Sequence, residues 1–296
     1  MVLGGDHVLK EIDSQGDCWR RAPRLAHENA GVLPREGDRV AVVGCGTSWF
    51  MAQAYAVLRE ASGHGETDAF AASEYPEGRS YDRVLAITRS GTTTEVLHLL
   101  DRLRGVPTTA VTAVPGAEVA DAADELVVLD FADETSVVQT RFATTALMVL
   151  RAHLGSPVDQ ALADLDRALA WTIGDDLLDR RPYTFLGTGW TTGLAQEAAL
   201  KLREASLSWA DAYPAMDYRH GPISLADGAS LVWFLGGLRP DGLADEVAAL
   251  GATVVADPLD PVADLVRVQR LAVAAGLAKG VDPDQPRNLT RSVILH

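Results

Sequence analysis

Glu197, Lys201 and Glu204 are spaced i, i+4, i+7. At about 100° per residue, a helix gathers them into a stripe roughly 60° wide. Their neighbours Ala198, Ala199, Leu200, Leu202 and Ala205 are small or apolar. A solvated Glu–Lys stripe would contribute only a few tenths of a kcal/mol. Lysine usage argues for more. Only three of the 26 basic residues are lysine (Lys10, Lys201, Lys279), and the rest are arginine. In such a chain, a lysine in an alanine-rich segment suggests that a compact ammonium matters there. Downstream, His220 stands before Gly221-Pro222, in a loop whose path is restrained. Imidazole moves protons near neutral pH. A carboxylate, an ammonium and an imidazole suffice to shift a proton between adjacent carbons of a sugar. The carboxylate serves the carbon, and the other two serve oxygens.

Two further segments carry binding chemistry. Gly44-Cys45-Gly46-Thr47-Ser48 follows an apolar run and opens an amphipathic one. Such a strand-to-helix turn presents unpaired N–H groups that favour a phosphate or carboxylate. A dinucleotide fingerprint wants a third glycine where Trp49 stands, which disfavours that use. The second segment is Thr88-Arg89-Ser90-Gly91-Thr92-Thr93-Thr94-Glu95. Thr92 and Glu95 have capping-box spacing, but one cap does not need so many hydroxyls. Hydroxyls and backbone amides together make a neutral cradle for a dianion, so the segment is read as a phosphate turn.

Elements of one kind must position all of these groups. The runs 39–44, 83–88, 108–114 and 125–130 read as buried parallel strands, and 51–61 and 94–104 as helices. The pattern restarts with a strand at 183–190, a helix at 193–209, and strands at 230–237 and 252–257. Gly44, Gly46, Ala52 and Gln53 recur as Gly187, Gly189, Ala195 and Gln196, all at one offset. A tandem duplication of an α/β unit follows from this register. A helix over about 6–29 precedes the first strand, Gly155-Ser156-Pro157 marks the boundary, and a helical connector spans 158–180.

The composition excludes several classes. The net charge is −15, which argues against a nucleic-acid partner. No apolar run is long enough to span a membrane, and no signal segment is visible at the N-terminus, so a cytoplasmic location is expected. Two cysteines and seven scattered histidines provide neither a disulfide framework nor a metal motif.

The motifs GCGTS, TRSGTTTE, EAALKLREAS, DYRHGP and DPDQPRNLTRSV, with KEIDSQ near the start, resemble the double SIS (sugar isomerase) family. They are most similar to the isomerase half of the glutamine-dependent fructose-6-phosphate amidotransferases. The resemblance covers nearly the whole chain. It implies two tandem SIS domains, each a doubly wound, mainly parallel α/β sheet flanked by helices. The first, with the N-terminal helix and the phosphate loops, would span 1–155, and the second, with the catalytic helix, the His loop and the tail, 156–296.

Carried over by position, the resemblance makes Ser48, Thr88, Arg89, Ser90 and Thr93 phosphate-loop residues. Gly46, Thr47, Gly91 and Thr92 complete the two turns. Glu204 matches the carboxylate that shuttles a proton between C1 and C2, Lys201 the lysine assisting it, and His220 the ring-opening histidine of a neighbouring subunit. Val138-Gln139-Thr140 matches a sugar-contacting loop, and Glu197 joins the substrate site. A homodimer with sites at the subunit interface is therefore expected.

Two departures bear on the reaction. No glutaminase segment with a nucleophilic cysteine is visible, so glutamine is not expected as the ammonia source. Arg291 stands where the amidotransferases carry an imine-forming lysine. Arginine keeps its proton and forms imines poorly. The expectation is an aldose–ketose isomerase or isomerising deaminase of a hexose or amino-sugar 6-phosphate, working without cofactor or metal. The alternative is a phosphosugar-binding regulator without chemistry.

Overall fold

The structure is a computed structural model that describes residues 4–103 and 105–295. In chain order the helices and strands are α1 (Asp6–Asp13), α2 (Gln15–Trp19), α3 (Ala22–Glu28), β1 (Val40–Gly44), α4 (Thr47–Ala61), β2 (Thr67–Ala71), β3 (Arg83–Ile87), α5 (Thr94–Arg102), β4 (Thr108–Thr112), α6 (Val119–Ala122), β5 (Glu125–Val128) and α7 (Arg141–His153). They continue with α8 (Asp159–Ala170), β6 (Tyr183–Gly187), α9 (Thr191–Ser206), β7 (Ala210–Pro214), β8 (Leu231–Phe234), α10 (Leu243–Ala249), β9 (Thr253–Val255) and α11 (Pro261–Ala278). They form two compact units whose segments interleave along the chain.

The five-stranded unit comprises Ser14–Glu134, Gln139–Val158 and the tail from Thr290. All its strands are parallel, in the order β2-β1-β3-β4-β5. β1 and β4 are buried along their whole length, which explains why they read as unbroken apolar or β-branched runs. One face packs Ala41, Val43, Val84, Ala86 and Ala110 against Val96, Leu99 and Leu100 of α5. Fully burying each of the valine and leucine side chains contributes about 1.5–3 kcal/mol.

The four-stranded unit comprises the chain through Asp13, Thr135–Val138 and Asp159–Leu289. It too is wholly parallel, in the order β7-β6-β8-β9. α11 packs against α8, α9 and α1. Asp284 fixes α1 by accepting from the backbone N–H groups of Gly5, His7 and Val8 at 2.8–3.0 Å, satisfying donors that a helix start leaves open. Glu11 of α1 in turn accepts from Thr135 and Ser136 backbone N–H groups, which draws that loop segment into this unit.

Three sequence expectations need correction. The helix expected over 6–29 is broken into α1, α2 and α3, and Pro23 marks the start of the last. Two strands, β2 and β7, leave no apolar signature in the sequence. Each is an edge strand beside the first strand of its sheet and is only partly buried, so neither carries an apolar run. β7 ends in Pro214, which suits an edge. Thr92 is not the cap of α5. Thr93 occupies the N-cap without a side-chain cap bond, and the Thr92 hydroxyl turns elsewhere.

Candidate active site

The two turns of the five-stranded unit leave the carboxyl ends of β1 and β3, which pair side by side. Ligands favour this end of a parallel sheet. Gly44 permits the first turn by contact: a Cβ there would lie 2.7 Å from the Ser48 backbone. Gly46 permits it by conformation, with φ +53° and ψ −125° at the N-cap of α4. Thr47 and Ser48 are buried in the first turn of that helix.

The second turn holds Thr88, Arg89, Ser90 and Gly91, all buried. A Cβ on Gly91 would meet Val119 at 2.7 Å and Ala117 at 2.8 Å. The Thr88 hydroxyl is buried and has no hydrogen-bond partner among the described residues. The Thr92 hydroxyl lies 3.1 Å from that of Ser90 and 2.9 Å from that of Ser292, either of which can take its one proton. Ser90 also lies 3.1 Å from Ser292, and Thr93 lies 3.4 Å from it. The hydroxyls of this turn therefore converge around a tail residue that the sequence did not single out.

Glu134 was also missed, and it organises the region. One carboxylate oxygen accepts from the Thr140 N–H, the Thr140 hydroxyl and the Arg141 N–H at 2.6–2.8 Å, closing the start of α7. The other pairs with Arg89 at 3.4 Å, with both side chains buried. The Arg89 guanidinium also donates to the Arg291 carbonyl at 3.1 Å. Thr140 is thus spent on Glu134, whereas the side-chain oxygen of half-buried Gln139 has no hydrogen-bond partner among the described residues. The Arg291 side chain pairs with Asp133 and donates to the Glu134 carbonyl. No sequence spacing could reveal contacts across more than 150 positions.

In the four-stranded unit, the stripe on α9 closes into a cluster. The Lys201 ammonium lies 3.3 Å from Glu197 and 2.5 Å from Glu204. Lys201 and Glu197 are each 1% exposed, while Glu204 is 18% exposed. Burial alone would lower the lysine's proton affinity, but the two carboxylates outweigh it and hold the ammonium above its ordinary range. This is a triad with Glu197 and Lys201 buried and Glu204 reaching solvent, rather than a solvated stripe.

His220 sits apart from that cluster, on a 3₁₀ turn (Asp217–His220) beyond the carboxyl end of β7. Arg219 anchors the turn by a bidentate pair with Glu246 at 2.8–2.9 Å. His220 itself is exposed. The sequence-selected residues therefore gather into two sets, one in each unit. The hydroxyl turns and Arg291 belong to the five-stranded unit, and the Glu–Lys–Glu triad and His220 to the four-stranded one. Among the described residues, no group of three or more His, Cys, Asp or Glu side chains could hold a metal ion. No described helix is long and apolar enough to cross a membrane.

No protein-family model matches the chain. It is 30% identical over 297 residues to a glutamine–fructose-6-phosphate aminotransferase (isomerizing) of Sulfurisphaera tokodaii, covering 88% of this chain and 50% of that protein. The same enzyme of Methanothermobacter thermautotrophicus is 28% identical over 348 residues, covering 98% and 58%. The chain thus spans about half the length of these relatives. Among solved structures, a glucosamine-6-phosphate deaminase of Thermotoga maritima superposes with a TM-score of 0.77 at 25% identity, over 97% of this chain and 99% of that one. The chain is homologous to the SIS-type phosphosugar isomerases. The SIS fold is equally plain in the C-terminal domain of the Francisella tularensis glucosamine–fructose-6-phosphate aminotransferase, with a TM-score of 0.80 at 23% identity over 97% and 100%. In this chain, parallel sheets flanked by helices carry the turns described above.

Proposed function

We propose that this chain is an aldose–ketose isomerase, or an isomerising deaminase, of a hexose or amino-sugar 6-phosphate. The observation that carries the reading is the Glu–Lys–Glu triad on α9 in a SIS homologue. Exposure divides its roles. Glu204 is the carboxylate within reach of solvent, so it takes the proton from C2 of the open-chain sugar and returns it to C1. Lys201 holds its proton firmly and polarises the carbonyl oxygen as charge builds there. Glu197 is fully buried and keeps the ammonium in place. Isomerisation then moves one hydrogen from C2 to C1 and one proton from O2 to O1. In the deaminase variant, C2 carries nitrogen, and water releases it as ammonia from the resulting ketimine. His220 assists ring opening, and the turns at Gly46–Ser48 and Thr88–Thr93 hold the phosphate.

The chain is further read as two tandem SIS repeats, 1–155 and 156–296, whose terminal segments are exchanged. Three features support this reading. The strand orders correspond, with the first strand of each sheet between the second and third. Gly187 repeats the close approach of Gly44, since a Cβ there would lie 2.4 Å from Thr191. Gly189, with φ +58°, repeats Gly46. A homodimer is part of the same reading, in which His220, exposed in this chain, serves a neighbouring subunit's site.

Ammonia release and ketose formation, assayed together on glucosamine 6-phosphate and galactosamine 6-phosphate, test the reaction. Deuterium exchange at C2 tests the assignment of Glu204. Glu204→Gln should lower kcat/KM by about 10²–10⁴-fold, the usual scale of general acid–base catalysis. Undiminished exchange in that variant would remove Glu204 from the mechanism.

A further inference from the structure

The tail of the five-stranded unit is docked by a continuous set of contacts. Arg291 is clasped by Asp133 and the Glu134 carbonyl, and its own carbonyl accepts from Arg89. The Val293 carbonyl accepts from the Thr94 N–H at 3.2 Å, and the Leu295 N–H donates to the Thr94 hydroxyl at 2.9 Å. Between these anchors, the Ser292 hydroxyl lies 2.9 Å from Thr92, 3.1 Å from Ser90 and 3.4 Å from Thr93. The donors are informative. Ser90 accepts from the Thr92 N–H at 3.2 Å and is placed to donate its own proton to Ser292 at 3.1 Å. Thr92 is likewise placed to donate to Ser292. A hydroxyl oxygen has two lone pairs and one proton. With Ser90 and Thr92 filling its lone pairs, Ser292 retains its proton for Thr93 or for an acceptor outside the chain.

We propose that Ser292 is a phosphate-binding residue: the tail delivers a further hydroxyl to the cradle, and the Arg291 clasp holds it there. A phosphoryl group brings several acceptor oxygens and no strong donor. It would draw outward the protons that these hydroxyls now spend on one another. The same arrangement assigns Arg291 a task. It is a positioning residue that fixes the tail against Asp133, and no chemistry on the sugar is asked of it. This inference rests on the reading of the turn as a phosphate cradle, and the test separates the two.

Inorganic phosphate is titrated calorimetrically into the full chain, Ser292→Ala, Ser292→Thr and Arg291→Gln, with thermal melts confirming folding. Hydrogen–deuterium exchange of the peptide covering 289–295 is followed with and without phosphate. The expected result is a five- to tenfold weaker Kd for Ser292→Ala, recovery in Ser292→Thr, and a loss in Arg291→Gln. Phosphate should slow exchange in the tail. Unchanged or tighter binding by Ser292→Ala, or faster tail exchange with phosphate, would overturn the proposal and leave the cradle intact. Absence of phosphate binding by the unaltered chain would overturn the cradle reading and the role of Ser292 with it.

Discussion

Lys201 is held between two carboxylates, and that placement decides what it can do. Its proton affinity is raised in the folded chain, since Glu197 and Glu204 outweigh the cost of burial. A group of this kind stabilises the fold fully below its unfolded pKa, and the contribution is lost as pH rises through the higher folded value. Lys201 therefore stays cationic across neutral and moderately alkaline pH, and it should not produce an alkaline limb below its ordinary range near 10.5. Lys201→Met should do more than slow catalysis. It leaves Glu197 buried without its cation, and breaking a buried pair this way costs about 3–5 kcal/mol. Urea unfolding would measure the loss, and a Lys201→Met chain as stable as the parent would show that the pair contributes nothing to folding. The place of Lys201 on one stripe with Glu197 and Glu204 was legible in the sequence through helical spacing. Its burial was not, because an isolated i, i+4, i+7 pattern fits a solvated face equally well.

At the scale of elements, the strand-to-helix turns are the most constrained features. Gly44 and Gly187 lie at the ends of β1 and β6, where the following helix comes too close for any side chain. Gly44→Ala and Gly187→Ala place a methyl group against backbone, which cannot move aside as a side-chain tip can. Each should destabilise its own unit by about 1–3 kcal/mol, the scale of overpacking. Gly31→Ala has open space around it and serves as the control. Differential scanning calorimetry would report lower transition temperatures for the first two and little change for the third. The glycine pairs were visible in the sequence because a single offset relates them. The central strands were visible because burial on both faces writes an apolar run. β2 and β7 were not, because an edge strand is half solvated and loses that signature.

At the scale of the whole molecule, the proposed reading places His220 in a neighbouring subunit's site. Light scattering should then give a mass of twice the 31.5 kDa chain. A sharper measurement mixes two inactive variants, Glu204→Gln and His220→Asn, after unfolding and refolding together. In a two-fold symmetric dimer, half of the assemblies become mixed and one site in each is complete, so about a quarter of the parental activity should return. Failure of the mixture to regain activity, with both variants folded and dimeric, would place His220 outside its neighbour's site.

Local features were determined by the sequence alone. Apolar runs, helical spacing and glycine turns depend on residues within a few positions of one another, and they carry the α/β class, the two hydroxyl turns and the Glu–Lys–Glu stripe. Long-range partnerships were decided only in the tertiary structure. Glu134 binds Arg89 and closes α7. Ser292 reaches hydroxyls about 200 positions away, and Asp284 fixes the start of α1. Each joins segments whose separation along the chain carries no periodic signal. Their pairing follows from which buried polar groups must satisfy one another once the sheets have formed.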